Sequence, residues 1–402
     1  MRRYAVLTLT VTAIFLLIVG VFLRTPSLFF MSTTMIMTLL ALRAQAHIAT
    51  LGLRFERIAP HVMKAGELVT MRIRVWSTLR IRRPLLTIVD VIPPKLAADL
   101  DMRPLPVAPD AEAPIETRYE LRPARRGVYR WSAIRVSSSD SLGLVWVNRT
   151  YRTEEFEAIV HPPLYPFSVD LLALSGFGAN QSDQGRNRGQ GMEPRGVREF
   201  VHGDALRTVH WRSTARTGKL QVKEFETGYN TQIALVIQLT YGSDIGVDVN
   251  TTLEAMCGHA AFLAEVMLNS GSTITLANVE PPDFPAAHSA ALRKKQILDA
   301  LAAIEATRTV PLASELAELE KRLETGQTVV VMLSLAESEV PEVIRRISAR
   351  AGVVAMIYNP RDFLPPGATL KGTPATDPDF LAQLAAPGVR IQLMENPHGS
   401  IR

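Results

Sequence analysis

The 402-residue chain has room for two or three domains, and its single cysteine, Cys257, excludes a disulfide framework within it. Lys and Arg outnumber Asp and Glu by 44 to 39, a net charge of +5. That excess is too small to imply nucleic acid as the ligand.

From Tyr4 to Leu23 the chain is uncharged and apolar, long enough to cross a hydrocarbon core of about 30 Å at about 1.5 Å per residue. A second uncharged run, Pro26 to Leu42, follows after Arg24 and Thr25. The first run is too long for the apolar part of a signal peptide, and no small-residue cleavage site follows it. Residues 1–46 are therefore expected to form a transmembrane hairpin of two helices. Arg2, Arg3, Arg43, Arg54 and Arg57 flank the outer ends and only Arg24 lies in the turn, so basic-residue bias is expected to place both ends in the cytoplasm.

Between residues 50 and 165 the pattern changes to short alternating runs, such as Leu68 to Trp76 and Leu85 to Ile92. Alternation with Pro and Gly punctuation predicts strands buried on one face, and several at this spacing predict a β-sandwich-like domain. Residues 176–195, rich in Gly, Asn, Gln and Ser, read as a flexible linker.

The next stretch, Gly196 to Glu226, contains Gly203-Asp204-x-x-Arg207 and His210-Trp211-x-x-x-Ala215-Arg216. Gly203 can take positive φ, Asp204 can cap a helix, and Gly218 suits its end. Spacings of three and four residues bring a carboxylate, a guanidinium and an indole within reach of one another. One reading is a structural clamp made of an ion pair and a stacked Trp; the other is a polar pocket or docking surface. An enzyme would use His202 or His210 as a base, yet no Ser or Cys nucleophile stands in a recognisable motif. An anionic-ligand module is a further alternative, although Glu193, Glu199, Glu224 and Glu226 dilute the positive field.

This double motif resembles the domain-of-unknown-function 58 (DUF58) family, as do Arg126-Gly-Val-Tyr129, Asp140-Ser-Leu-Gly-Leu144 and Ile159-Val-His-Pro162 in the β-rich part. The resemblance is expected to extend over nearly the whole chain. It implies a membrane-anchored interaction protein with a von Willebrand factor A-like domain. It also implies a MoxR-like AAA ATPase as partner, in the assembly or maturation of a membrane or envelope complex that includes other membrane proteins.

From Gln232 onward apolar runs alternate with helical spacing. Strands are expected at Gln232–Thr240, Thr273–Val279, Thr328–Leu335, Val353–Tyr358 and Val389–Met394, with helices at Leu253–Leu268 and about 288–306, 312–324, 339–350 and 377–386. This order implies a doubly wound α/β domain, within residues 196–402, whose ligands gather at the carboxyl ends of its strands. The resemblance places a metal site there, built from Asp-x-Ser-x-Ser at the end of the first strand, with Mg²⁺ keeping a position open for a partner's carboxylate. The pentapeptide here is Gln238-Leu-Thr240-Tyr-Gly242, and the later strand ends in Ser334-Leu335 where relatives carry Ser-Asp. Thr240 and Ser334 survive as neutral oxygens; Asp244 and Asp248 are the carboxylates near enough in sequence to substitute. No cofactor is expected, Mg²⁺ included: the metal site is degenerate, and a partner is expected to meet this crest without an ion.

Overall fold

The computed structural model describes residues 2–81, 83, 85–96, 105–109, 113–168, 194–199, 209–225, 232–281, 285, 287–324 and 326–399. The chain divides into two compact units, Met1–His161 and Pro162–Arg402.

The first unit begins with two helices, α1 (Arg2–Phe22) and α2 (Pro26–Ala49). Only α2 is both long and apolar enough to cross a membrane among the described residues; the apolar part of α1, Val6–Phe22, is shorter. The helices run side by side. The Ser32 hydroxyl donates to the Ala13 carbonyl at 2.6 Å, and a Cβ on Gly20 would lie 2.9 Å from the Phe29 nitrogen.

Two sheets follow. β1 (Leu53–Ile58), β3 (Val69–Ser77) and β6 (Ile115–Leu121) form an antiparallel sheet with β3 in the middle. β2 (Val62–Lys64), β8 (Trp146–His161), β7 (Gly127–Ser139), β4 (Leu86–Asp90) and β5 (Leu105–Val107) form the other in that order, with β2 parallel to β8. Alternation decides which side chains face inward: Met71, Ile73 and Val75 on β3 meet Leu86 and Ile88 on β4 and Trp131, Ile134 and Val136 on β7 in two apolar cores fed by both sheets. Asp140 ties the turn between β7 and β8, accepting from the Leu142 and Val145 amides at 3.2 and 2.7 Å, while Gly143 supplies the positive φ of 68°.

Within this apolar interior lies a charged pair that the alternation does not announce. Arg57 reaches across from β1 and holds Asp90 of β4 with its Nε and one terminal nitrogen, the closest contact being 2.8 Å, at side-chain exposures of 3% and 0%. Asp90 also accepts from the Tyr119 hydroxyl at 2.8 Å and the Trp131 indole at 3.4 Å. The other guanidinium donors reach the Thr153 hydroxyl and the Ala133 carbonyl. Burial, and then the carboxylate beside it, push the Tyr119 phenol far above its ordinary range.

The carboxyl end of α2 belongs to this unit rather than to a separate anchor. Ala49 sits in the core with Leu53 and Ile73. Arg83 donates to the Ala49 and Leu51 carbonyls at 2.6 and 2.5 Å and to the Ser77 hydroxyl at 2.6 Å, a cation where the helix dipole favours one. The Tyr151 hydroxyl donates to the Thr50 carbonyl. These contacts join the end of α2 to the sheet at residues 49–51.

In the second unit, β9 (Pro194–Glu199), α3 (Trp211–Thr217) and β10 (Gln221–Phe225) form a small substructure in which β9 and β10 pair antiparallel. Pro194 and Arg195, expected at the end of a linker, open β9; residues 176–193 lie outside the described residues. The α/β layer contains β11 (Gln232–Ile237), the hairpin β12 (Gly246–Val247) and β13 (Asn250–Thr251), α4 (Thr252–Asn269), β14 (Thr273–Leu276), α5 (Ala290–Ala303), α6 (Leu312–Glu320), β15 (Thr328–Leu333), α7 (Val340–Ser348), β16 (Gly352–Tyr358), α8 (Pro378–Leu384) and β17 (Val389–Met394). Its five parallel strands are ordered β14-β11-β15-β16-β17.

Both faces are covered, which is why the strands read as unbroken apolar runs. Ile233, Leu235 and Ile237 of β11 point to the core shared with α4 and α5, and Ala234 and Val236 point to that of α6, α7 and α8. The segment before the layer lies over α4. The Tyr165 amide donates to the Gly258 carbonyl at 3.2 Å, its hydroxyl lies 2.8 Å from His398 Nε2, and a Cβ on Gly258 would meet the Tyr165 ring at 2.2 Å. Beneath it His259 is buried, with Nδ1 3.0 Å from the Tyr358 hydroxyl.

Candidate functional site

The strand order makes one place special. β14 lies on one side of β11 and β15 on the other, so the loops leaving β11 and β15 diverge, and in open α/β sheets ligands settle in the crevice so formed. Gln238 and Ser334 stand at those two strand ends, and the structure brings them together.

The Gln238 carboxamide is 2% exposed. Its oxygen accepts from the backbone amides of Ser334 and Leu335, both at 3.0 Å. Its nitrogen donates to the Leu335 carbonyl at 3.1 Å and to Glu337 Oε1 at 3.0 Å. A carboxylate could take the two amides but has no hydrogen for the carbonyl, so a group that both accepts and donates suits this position. The side chain that removes the expected metal ligand thereby stitches the two loops together.

Ser334 is fully buried and donates its hydroxyl to the Ser243 carbonyl at 2.9 Å. The Ser243 carbonyl also accepts from Thr252 at 2.9 Å. Thr240 donates to Glu337 Oε1 at 3.0 Å. Gly242 lies in the same turn with φ of 85° and open space around it.

Glu337 adds a carboxylate beyond the groups expected from sequence, the neutral oxygens of Thr240 and Ser334 and the substitutes Asp244 and Asp248. The carboxylate enters two residues after Leu335, where its Oε1 meets both Gln238 and Thr240, and Oε2 lies 3.4 Å from the Ala313 amide at the start of α6. The two acids expected to substitute do other work. Asp244 accepts from the Leu253 amide at 3.1 Å in the first turn of α4, and Asp248, with φ of 54°, makes the tight turn between β12 and β13. Among the described residues no three His, Cys, Asp or Glu side chains gather as a metal-holding group.

Beside this network opens a cleft of about 410 Å³ lined by Thr240, Tyr241, Pro311, Ala313, Glu337 and Glu339, among others. Tyr241 stands 81% exposed on its rim, held at the backbone by its amide donating to the Arg308 carbonyl at 2.7 Å. The Arg308 side chain is turned to Glu315.

The signature segment is described only in part. Gly203, Asp204 and Arg207 lie outside the described residues. The helix that ends at Gly218, with φ of 71° as expected of that glycine, begins at Trp211, and its cap is His210: the ring Nδ1 accepts from the Ser213 amide at 3.2 Å and lies 2.7 Å from the Ser213 hydroxyl. That ring nitrogen is engaged in holding a helix end rather than free to act as a base. The His210 amide donates to the Gln221 carbonyl at 2.7 Å, and Val209 and Val222 are buried where the two segments bridge. Trp211, expected to stack inward, is 67% exposed; Ala215 and Arg216 are exposed too, and α3 buries none of its residues.

Residues 196–372 match the family described as "Protein of unknown function DUF58". The match takes in the signature segment and most of the α/β layer; it does not extend to the β-rich half, where the resemblance had been expected to continue. No curated protein matches the chain. Solved structures similar to part of it include a CARDB domain from Pyrococcus furiosus in complex with di-metal ions, 18% identical, covering 27% of this chain and 91% of that one at a TM-score of 0.20. Others are a beta-glucosidase from Listeria innocua (14% identical, 27% and 16% covered, TM-score 0.17) and the PKD domain of an M14-like peptidase from a Thermoplasmatales archaeon (12%, 25% and 92%, 0.15). Likenesses of this depth do not bear on what the chain does.

Proposed function

We propose, proceeding from the chain's membership of the DUF58 family through residues 196–372, that it is a membrane-anchored docking protein. Its von Willebrand factor A-like layer presents a metal-free crest to a protein partner. Family resemblance supplies the partner class, a MoxR-like AAA ATPase, and the process, assembly or maturation of a membrane or envelope complex. The observation that carries the reading is the Gln238 carboxamide, which fixes the two diverging loops without an ion beneath an exposed Tyr241 and its cleft. A surface already rigid before binding loses little entropy when a partner arrives.

In this reading α1 and α2 form a two-pass anchor with both ends in the cytoplasm, supported by the apolar character of the helices and the flanking arginines. Ser141→Cys in a Cys257→Ala background gives an exposed thiol in the β-rich unit, and an impermeant maleimide should leave it unlabelled in intact cells. Efficient labelling there would reverse the topology.

Docking is tested by placing a photo-crosslinking residue at position 241 of the full-length protein in cells, with one at exposed Leu142 as the control. Crosslinks to a MoxR-like ATPase from 241 and not from 142 are the expected result; the opposite pattern moves the interface to the β-rich unit. A second reading has one observation in its favour: Trp211 stands out from α3 beside exposed Arg212 and Arg216, and Trp and Arg are frequent anchors of protein interfaces. The signature segment would then be the docking surface.

A further inference from the structure

We infer that the crest cleft takes an arginine side chain of the partner protein. The inference rests on the crest being the docking surface and says what that surface reads. Glu337 and Glu339 are the charged side chains lining the cleft, with no Lys, Arg or His among its walls, in a chain whose net charge is +5. A local negative cleft set against a positive whole selects a cationic group and steers it inward.

The carboxylate of Glu337 is aimed as well as present. Gln238 and Thr240 both donate to Oε1 at 3.0 Å, which fixes the plane of the group, while Oε2 has only the 3.4 Å approach of the Ala313 amide. Among the described residues neither Glu337 nor Glu339 has a cationic partner, and the nearby Arg308 is committed to Glu315. Tyr241, 81% exposed on the rim, offers an aromatic face on which a planar guanidinium stacks. A carboxylate at the base and a ring at the rim fit arginine better than the compact, strongly hydrated ammonium of lysine. A metal-bearing crest would read a partner's acid through its ion; this one, stitched by an amide and bearing Glu337, reads the opposite charge.

The test uses fluorescein-labelled octapeptides, identical except for a central Arg, Lys, citrulline or Glu, titrated into the full-length protein in mild detergent. The Arg peptide should bind at least about tenfold tighter than the citrulline peptide, with Lys between. Glu337→Gln should erase most of that advantage, and Glu339→Gln, at an exposed position where folding is not at stake, should reduce it. Equal binding of Arg and citrulline, a preference for Glu as the overall charge of the chain would give, or no binding of any of the four below millimolar concentration each overturns the inference. The docking reading fails separately. If Tyr241→Ala abolishes partner capture while Arg and citrulline bind alike, the crest stands and the arginine falls; if partner capture survives Tyr241→Ala, the crest itself falls.

Discussion

The two units each bury a polar network, and they solve the problem in opposite ways. In the β-rich unit a full ion pair, Arg57 with Asp90, joins the two sheets, both side chains buried and each charge met by hydrogen bonds. In the α/β unit the buried centre is a neutral amide, Gln238, and the one carboxylate of the network, Glu337, is placed toward the wet rim. The first arrangement is a lock, since removing either partner strands a charge in apolar surroundings. The second is a frame, since its interior is uncharged and its charge remains available to a ligand.

The largest effect expected from this difference is at the lock. Asp90→Ala leaves Arg57 and Tyr119 without their acceptor and should cost about 3–5 kcal/mol, read as a lower urea midpoint by tryptophan fluorescence. Replacing both charges together, Arg57→Met with Asp90→Leu, should recover most of the loss; a double variant as unstable as the single would mean the pair is needed for more than its own neutralisation.

At the frame, Gln238→Ala orphans the Ser334 and Leu335 amides, at about 1–3 kcal/mol for each group not reached by water. Ser334 is buried but Leu335 is only half-buried, so one amide counts in full and the cost should fall below that of Asp90→Ala. Gln238→Glu sharpens the contrast. It sets a second carboxylate against Glu337 and Thr240, and saturable Mn²⁺ binding below about 1 mM is expected of this variant and not of the parent. Submillimolar binding by the parent, seen by calorimetry, would contradict the amide-for-ion account.

Acid separates the units next. Burial holds His259 down at about 4, against the usual 6.5, so the unfolded chain takes the proton first as pH falls. Stability present above pH 6.5 should be lost from the α/β unit between there and pH 4, on the order of 2–3 kcal/mol, and His259→Gln should flatten that part of its profile. A parent profile already flat there would place His259 in a wetter setting.

Much of this was legible in the chain itself. Continuous apolar strands such as Thr328–Leu333 could be placed within a residue or two because both faces of a parallel sheet are covered, and the helices Thr252–Asn269 and Ala290–Ala303 start close to expectation because their apolar spacing is helical. The networks were not legible. Asp90 follows Leu86 and Ile88 in perfect inward alternation, and nothing local says that its cation lies 33 residues earlier. His210 is an unusual cap, so the helix start at Trp211 carried no local signal of the usual kind. Glu337 reaches the crest only because the loop after β15 folds back, which spacing along one strand does not reveal.

The smallest stability effect belongs to Tyr241→Ala, within about 0.5 kcal/mol for so exposed a side chain, and it sets up the decisive measurement. Two exposed aromatics, Tyr241 on the crest and Trp211 on the signature helix, are each replaced by Ala in the full-length protein, and the affinity for a MoxR-like ATPase, the proposed partner, is measured in mild detergent. The account predicts that Tyr241→Ala weakens binding at least about tenfold, or 1.4 kcal/mol, while Trp211→Ala stays within about twofold. Loss with Trp211→Ala and retention with Tyr241→Ala would contradict it and move the docking surface to the signature segment.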